Sequence, residues 1–569
     1  MYMKLNTSFC VVAIAAALSA QAAVAATPVP PTTVLYGGGA TFPSEAYVGP
    51  SFLKTLGNPR RLSQTLGVTA PANVSVNPAA LTDKTALFGA FAVVNPTIGV
   101  SYCQTGSGVG KGALSGARNA TADCGDYGVA APVGFAGPTI DADFAGSDEP
   151  VAQSDITAFN ANAVGSDPAA PRSATKTSLV QIPAVAGSIA FVYNNPSLGK
   201  KKLNLTRSDV CGIFAGTITD WSQLTHTPKV TIAAKPIKVV YRSDSSGTTF
   251  SLANFLSQAC PSLTLPDDTA QPANKFQMNK VFTAVVTGGV PGGSIPASGN
   301  GGIVSTVAIN DGAIGYADIA DGLARAKIAG GLITYATVSY AADLAKEALV
   351  IAPEASGVCP AGTFGKIKDA NDGKAAGPGN PVGGTTLEPI TTVLNPSTTK
   401  SLKFTCPAVT YNKLDPAKNL VPKGFTAIKL TTQAAKVLGT VNAATGRQPL
   451  ADITVGTLPA GVTSCIQTVD PADYAQPLPA ATKKAAADFD RYPVIAVSYL
   501  MGYTNGYGAK LAAIKSLLKA PFDAAVLGKT KTIGKAAGFQ PLDLVSAAST
   551  TPVFVANSAA AIVDACVAN

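Results

Sequence analysis

The stretch Tyr241-Arg-Ser-Asp-Ser-Ser-Gly-Thr-Thr-Phe250 carries the residues of this chain best suited to holding an anion. Arg242 offers a planar fork that matches a pair of oxygens. Ser246, Gly247 and Thr248 supply hydroxyl and backbone donors where a helix is expected to start, and helix N-termini carry unpaired N–H groups and a partial positive charge. Asp244, two residues after Arg242, is placed to hold the guanidinium. Three further clusters have a similar character: Tyr36-Gly-Gly-Gly-Ala-Thr-Phe-Pro-Ser44, Thr105-Gly-Ser-Gly-Val-Gly110 and Asp143-Phe-Ala-Gly-Ser-Asp148. In the first, Thr41 is expected to cap a helix with Pro43 near its first turn. The second presents Ser107 at another helix start. The third ends a short apolar run on an acid. Taken singly, each cluster fits an ordinary turn equally well, Arg242 with Asp244 fits a surface ion pair, and Asp148 fits a helix cap.

The elements that would position these clusters alternate along the chain. From Val34 to about Val185, short apolar runs alternate with Gly-rich turns. From about Ala186 to Val350, strand-like runs such as Ser188–Tyr193, Ile237–Tyr241 and Ala313–Tyr316 alternate with helix-like ones such as Thr249–Leu256. That alternation predicts an α/β fold with crossover helices. Residues 359–385 read as loop, and 387–468 as short β-type runs rich in Thr, Val and Pro. Residues 489–503 return to a buried-strand pattern, followed by an amphipathic helix over 507–520. No fixed-period repeat is present.

The chain has 569 residues, too many for one core, with 47% hydrophobic and 13% charged, which excludes a disordered chain. Residues 1–25 read as a secretory signal: Lys4, an apolar run over Phe9–Leu18 and Ala23-Val24-Ala25 as cleavage pattern. Removing them lowers the net charge of +9 only by the charge of Lys4. A basic surface steers anions, and no dense Lys/Arg run with aromatics points to nucleic acid. Eight cysteines remain beyond Cys10, an even set that suggests disulfides in an exported chain. Sequence proximity favours Cys103–Cys124, Cys211–Cys260, Cys359–Cys406 and Cys465–Cys566, among about 105 connectivities. No CxxC pair or acid cluster has metal-site spacing, so no metal or cofactor is expected. The one histidine, His226, falls in an expected loop.

In combination and in order, these segments resemble the periplasmic phosphate-binding protein of Pst-type ABC importers. The matching stretches are GGGATFPSEAY at 37–47, YCQTGSGVG at 102–110, DFAGSDEP at 143–150, IPAVAGSIAFVYN at 182–194, YRSDSSGTTF at 241–250, GNGGIVSTVAINDGAIGYADIA at 299–320 and YPVIAVSYL at 492–500. The resemblance implies a two-lobed periplasmic-binding-protein fold (type II) that closes on phosphate. It implies phosphate contacts from Thr41, Phe42, Ser107, Arg242, Ser246, Gly247 and Thr248, with Asp244 orienting Arg242. Asp148 would accept the proton of the bound phosphate. Sulfate has no such proton at neutral pH, so a buried carboxylate would reject it. The implied organisation is a lobe of 27–185 with 489–569, a second lobe of 186–350, and a β-rich inserted subdomain at 351–488. The implied partner is a membrane ABC importer permease, and the implied place is the periplasm, or the secreted or cell-surface space. The chain departs from the family in its length, its cysteines and its second motif, Gly106-Ser-Gly-Val-Gly where Gly-Ser-Ser-Gly-Gly is common.

Two other functions compete. A secreted phosphatase would need an activated nucleophile or metal-activated water. A surface or appendage protein would reuse the fold structurally, with the 351–488 insertion as the contact for a protein partner.

Overall fold

The computed structural model describes residues 31–49, 62–64, 83–115, 142–161, 175–199, 201–224, 231–262, 270–328, 334–351, 364–368, 388–389, 403–421, 428–453, 464–475, 491–534, 537–546 and 555–568. The signal segment, His226, Cys124 and Cys359 lie outside these residues, as does most of 351–402. The site depends on eleven strands and five helices, in chain order. They are β1 (Thr33–Gly39), α1 (Ser44–Tyr47), β2 (Ile98–Gln104), α2 (Ser107–Ser115), β3 (Phe144–Ser147) and β4 (Leu179–Asn194). Next come β5 (Lys238–Arg242), α3 (Gly247–Ala259), α4 (Gly299–Ile309) and β6 (Ala313–Asp318). Last are β7 (Ile428–Ala434), β8 (Lys436–Leu438), β9 (Leu450–Asp452), β10 (Ile495–Tyr503), β11 (Phe539–Ser546) and α5 (Val555–Cys566).

β4 organises the molecule. Its sequence LVQIPAVAGSIAFVYN is almost continuously apolar, as a strand covered on both faces requires, and all its residues are buried. Residues 179–188 pair with β10, and residues 189–194 pair with β6. β4 therefore joins two strand groups. In the first, β1 lies between β2 and β3 and runs parallel to both, and β10 bridges β3 to β4. In the second, β5 runs parallel to β6. The C-terminal ends of β1, β2, β3 and β5 carry the four clusters picked out above, which is where open α/β sheets place their ligands.

Gly39 shows why the first cluster is glycine-rich. Its φ is +127°, and a Cβ there would lie 2.2 Å from the Gly146 carbonyl oxygen. Only glycine allows β1 and β3 to end this close together. One local expectation fails. Thr41 does not cap α1: Pro43 occupies the N-cap position, no side chain caps the helix, and Ser44 Oγ donates to the Thr41 carbonyl. The turn is tight enough for the backbone to satisfy itself.

The strands of the 387–468 stretch are not all separate from this body. β7 pairs parallel with β11 near one edge of the large sheet, and the strand Gln467–Val469 pairs along its other side. The hairpin β8–β9 spans the two strand groups. Leu438 N–H donates to the Val151 carbonyl at 3.0 Å, and Met278 N–H donates to the Gly446 carbonyl at 2.7 Å. Leu438 packs with Ala152, Phe250 and Met278 in one buried cluster. The disulfides Cys211–Cys260 and Cys465–Cys566 are present, and the second ties this stretch to α5. Cys103 is also disulfide-bonded, while the Cys359–Cys406 pairing lies outside the described side chains.

Candidate functional site

Arg242 ends β5 and is 1% exposed. Its Nε donates to Asp244 Oδ1 at 2.7 Å, and its Nη2 donates to Asp244 Oδ2. The pair is buried, unlike a surface ion pair. Burial disfavours the Arg242 charge, but the Asp244 carboxylate outweighs it and holds the guanidinium above its ordinary pKa. Burial likewise works against the Asp244 charge, and Arg242 overcomes it, holding that carboxyl below the usual range. Thr248 Oγ1 accepts from Arg242 Nη1 at 3.3 Å.

α3 starts immediately after. Ser246 is its N-cap and accepts from Thr249 N–H at 3.1 Å, which leaves the hydroxyl proton of Ser246 to donate elsewhere. α2 starts at Ser107 in the other strand group, and the two helix starts meet. Gly247 N–H donates to Ser107 Oγ at 3.2 Å, and Gly108 N–H donates to the Ser245 carbonyl at 3.3 Å. The contact is close because both sides are glycine-lined. A Cβ on Gly247 would lie 2.5 Å from Ser107 Oγ and 2.6 Å from Asp148 Cβ.

Asp148 follows β3 and is 1% exposed. It caps no helix. Its N–H donates to Ser107 Oγ at 3.0 Å, and Ser107 Oγ donates to its Oδ2 at 3.3 Å. Oδ1 has no hydrogen bond of ordinary geometry. Burial pushes its carboxyl up to about 7, against the Ser498 hydroxyl, the Arg242 charge and the Ser107 hydroxyl, which all favour the charged form. Next to it, Glu149 pairs with the buried Lys111 at 2.5 Å and with Lys280 of the other strand group at 3.2 Å.

The structure therefore brings Ser107, Asp148, Arg242, Asp244, Ser246, Gly247 and Thr248 together at the meeting of two helix starts. Thr41 lies at the end of β1, with a buried Oγ1 that has no hydrogen-bond partner. Its neighbour Phe42 is fully buried, with its ring edge-on to Phe539 at 5.3 Å. The Phe42 side chain is thus core. Only its backbone remains for a ligand. Sequence reasoning gave no role to Tyr47, Ser498, Asn300 or Tyr316. Tyr47 Oη and Ser498 Oγ share a hydrogen bond at 3.3 Å behind Asp148. Tyr316 Oη accepts from Arg242 N–H at 3.1 Å. Asn300 lies in the quoted 299–320 motif, but nothing in its type or spacing announces a partner on β5.

The model of the PBP superfamily domain matches residues 58–362, more than half of the chain. The chain belongs to the PBP superfamily. This superfamily member is 31% identical to Alkaline phosphatase L of Pseudomonas aeruginosa over 249 residues, 42% of this chain and 56% of that protein. It is 29% identical to the Phosphate-binding protein PstS of Xylella fastidiosa over 181 residues, 31% of this chain and 40% of that protein. The PstS of Haemophilus influenzae is 41% identical over 83 residues, 14% of this chain and 25% of that protein. The chain thus spans at most little more than half the length of these relatives. Among solved structures, the periplasmic phosphate-binding protein PfluDING bound with phosphate aligns over 93% of this chain and 98% of its own, at 17% identity and TM-score 0.44. A phosphate-binding protein of Stenotrophomonas maltophilia aligns over 90% and 91%, at 20% identity and TM-score 0.42. The resemblance to PstS-like proteins read from the motifs is borne out by these relatives. So is the α/β class, by the superfamily match and the mixed sheet. Among the described residues, no helix is long and apolar enough to cross a membrane.

Proposed function

We propose that this chain binds inorganic phosphate between its two lobes and hands it to the membrane permease of an ABC importer, outside the cytoplasmic membrane. The lobes are 27–185 with 489–569, and 186–350, with 351–488 as the added stretch. One observation carries the reading: a buried guanidinium and a buried carboxyl meet where two helices start. Arg242 and the partial positive charge at the starts of α2 and α3 favour an anion. The ionised Asp148 carboxylate tolerates that anion only if the ligand carries a proton that it can accept. Phosphate and arsenate supply that proton at neutral pH and sulfate does not. A carboxylate facing a bare anion would be left unpaired, at a cost of several kcal/mol.

The phosphatase reading draws support from the relative named Alkaline phosphatase L. The arrangement of Ser107 argues for binding instead. Its Oγ accepts N–H bonds from Asp148 and Gly247 and donates to Asp148, so neither lone pair is free to attack phosphorus.

Calorimetry on ligand-stripped protein tests both. Phosphate and arsenate should bind, sulfate should give no heat, and Arg242→Ala should abolish binding. Hydrolysis of a phosphate monoester that disappears in Ser107→Ala would instead establish the enzyme.

A further inference from the structure

The guanidinium of Arg242 is held from behind by a second chain of polar groups. Its Nη1 donates to Asn300 Oδ1 at 2.7 Å, and Asn300 Nδ2 donates to Asp318 Oδ2 at 2.9 Å. Asp318 Oδ1 accepts from Asp321 N–H at 2.7 Å. Asn300 and Asp318 are fully buried. Asn300 is the second residue of α4, whose first residue, Gly299, donates its N–H to Asp244 Oδ1 at 3.0 Å. The start of α4 therefore holds both members of the Arg242–Asp244 pair.

The Asp244 fork fixes one edge of the guanidinium. At the opposite end Nη1 has two acceptors, Thr248 Oγ1 at 3.3 Å and Asn300 Oδ1 at 2.7 Å, and the shorter bond to Asn300 sets the tilt about that edge. An asparagine amide is two-sided, and turned over it would point two N–H donors at a group that is itself all donors. The Asp318 carboxyl prevents this, because Oδ2 accepts only from the Nδ2 side. Burial and the neighbouring Asp321 carboxyl push Asp318 above the usual carboxylate range. We propose that Asn300, oriented by Asp318, is a positioning residue that sets the plane of the Arg242 guanidinium for ligand binding. The inference rests on the phosphate reading for its ligand, but the geometry it describes exists in the phosphate-free protein.

The test uses the full chain with Asn300→Leu and Asn300→Asp. Leucine keeps the volume and removes the acceptor. Aspartate keeps an oxygen toward Nη1 and replaces the amide donor with a proton shared with the Asp318 carboxyl. Calorimetry with inorganic phosphate should show about a 10- to 100-fold loss of affinity for Asn300→Leu, the size expected for a hydrogen bond to a charged group. Asn300→Asp should recover most of it. Nitrogen-15 spectra of arginine-labelled, phosphate-free protein should show slowly rotating Nη signals for Arg242 in the parent and in Asn300→Asp, and averaged ones in Asn300→Leu. Parent-like affinity and Nη signals in Asn300→Leu overturn the inference, and so do equal losses in both variants, which indicate packing alone. A parent that does not bind phosphate but shows the expected Nη pattern refutes the phosphate reading and leaves the positioning role standing. If Asn300→Leu does not fold, Asn300→Ser, too short to reach Nη1, replaces it with the same expected outcomes.

Discussion

Gly247→Ala should separate folding from ligand binding. Gly247 opens α3 in one strand group, and its neighbours across the contact, Ser107 and Asp148, belong to the other. An added Cβ would lie 2.5 Å from Ser107 Oγ, 2.6 Å from Asp148 Cβ and 2.9 Å from the Asp148 carbonyl carbon. Ser107 Oγ can rotate away. The Asp148 Cβ and backbone cannot, because β3 is buried and paired on both sides. Ordinary carbon contacts are about 3.5–4.0 Å, so the two strand groups must separate by about 1 Å. Overpacking of this kind costs about 1–3 kcal/mol, equivalent to about a 5- to 150-fold change in an equilibrium constant. The cost falls on the closed arrangement only, since an open protein has no neighbour at that point. Alanine also suits a helix better than glycine. The expected result is therefore a 5- to 150-fold weaker phosphate affinity by calorimetry, with the phosphate-free melting temperature unchanged or slightly raised. Gly292→Ala, where no atom lies within 4 Å, is the control and should change neither. Binding of Gly247→Ala within twofold of the parent would refute the claim that the ligand-bound state is this closed contact.

Three other outcomes follow from particular groups. Asp148 is pushed up to about 7 when folded and titrates near 3.8 when exposed, so the folded state holds the extra proton between those values. Its contribution to stability is fully present below about pH 4 and is lost as pH rises through about 7. In the closed arrangement that buries Asp148, Asp148→Asn should therefore gain melting temperature relative to the parent across that window, and a constant difference from pH 4 to 8 would contradict the shift. The Cys465–Cys566 bridge closes a separation of 101 residues. Replacing both cysteines with serine should destabilise the protein by about 2–5 kcal/mol in denaturant titrations. Replacing residues 440–448 with a short turn removes the Met278 N–H to Gly446 carbonyl bond that helps tie the strand groups, together with the weaker bonds from Gln448 N–H to Met278 Sδ and from Arg447 Nη2 to Asn254 Oδ1. Stopped-flow measurement should then show phosphate leaving at least about fivefold faster, since each hydrogen bond lost is worth about 1 kcal/mol.

Much of the local structure was legible because local rules govern it. The strand-like run Ser188–Tyr193 became part of β4, which extends further toward the N-terminus. The run Ile237–Tyr241 became β5, shifted by one residue. Ser246 before Gly-Thr-Thr signalled a helix start, and the adjacent Arg242 and Asp244 signalled each other. Thr41 was misread as a cap because sequence spacing does not show that the turn after β1 closes on its own backbone. The contact that the resemblance implies for Phe42 is a backbone one, while its ring packs in the core with Phe539, nearly five hundred residues away in the chain.

The sequence alone determined the chemical types available, the order of the four clusters and the alternation of strands and helices. These follow from side-chain chemistry and from periodicities of a few residues. Only the tertiary structure decided which clusters meet. Ser107 reaches Gly247 across 140 residues, and Arg242 reaches Asn300 across 58. Such contacts depend on strand order and helix direction in the finished sheet. The raised pKa of Asp148 was equally invisible in the sequence, because it comes from burial, and burial is a property of everything packed around a residue.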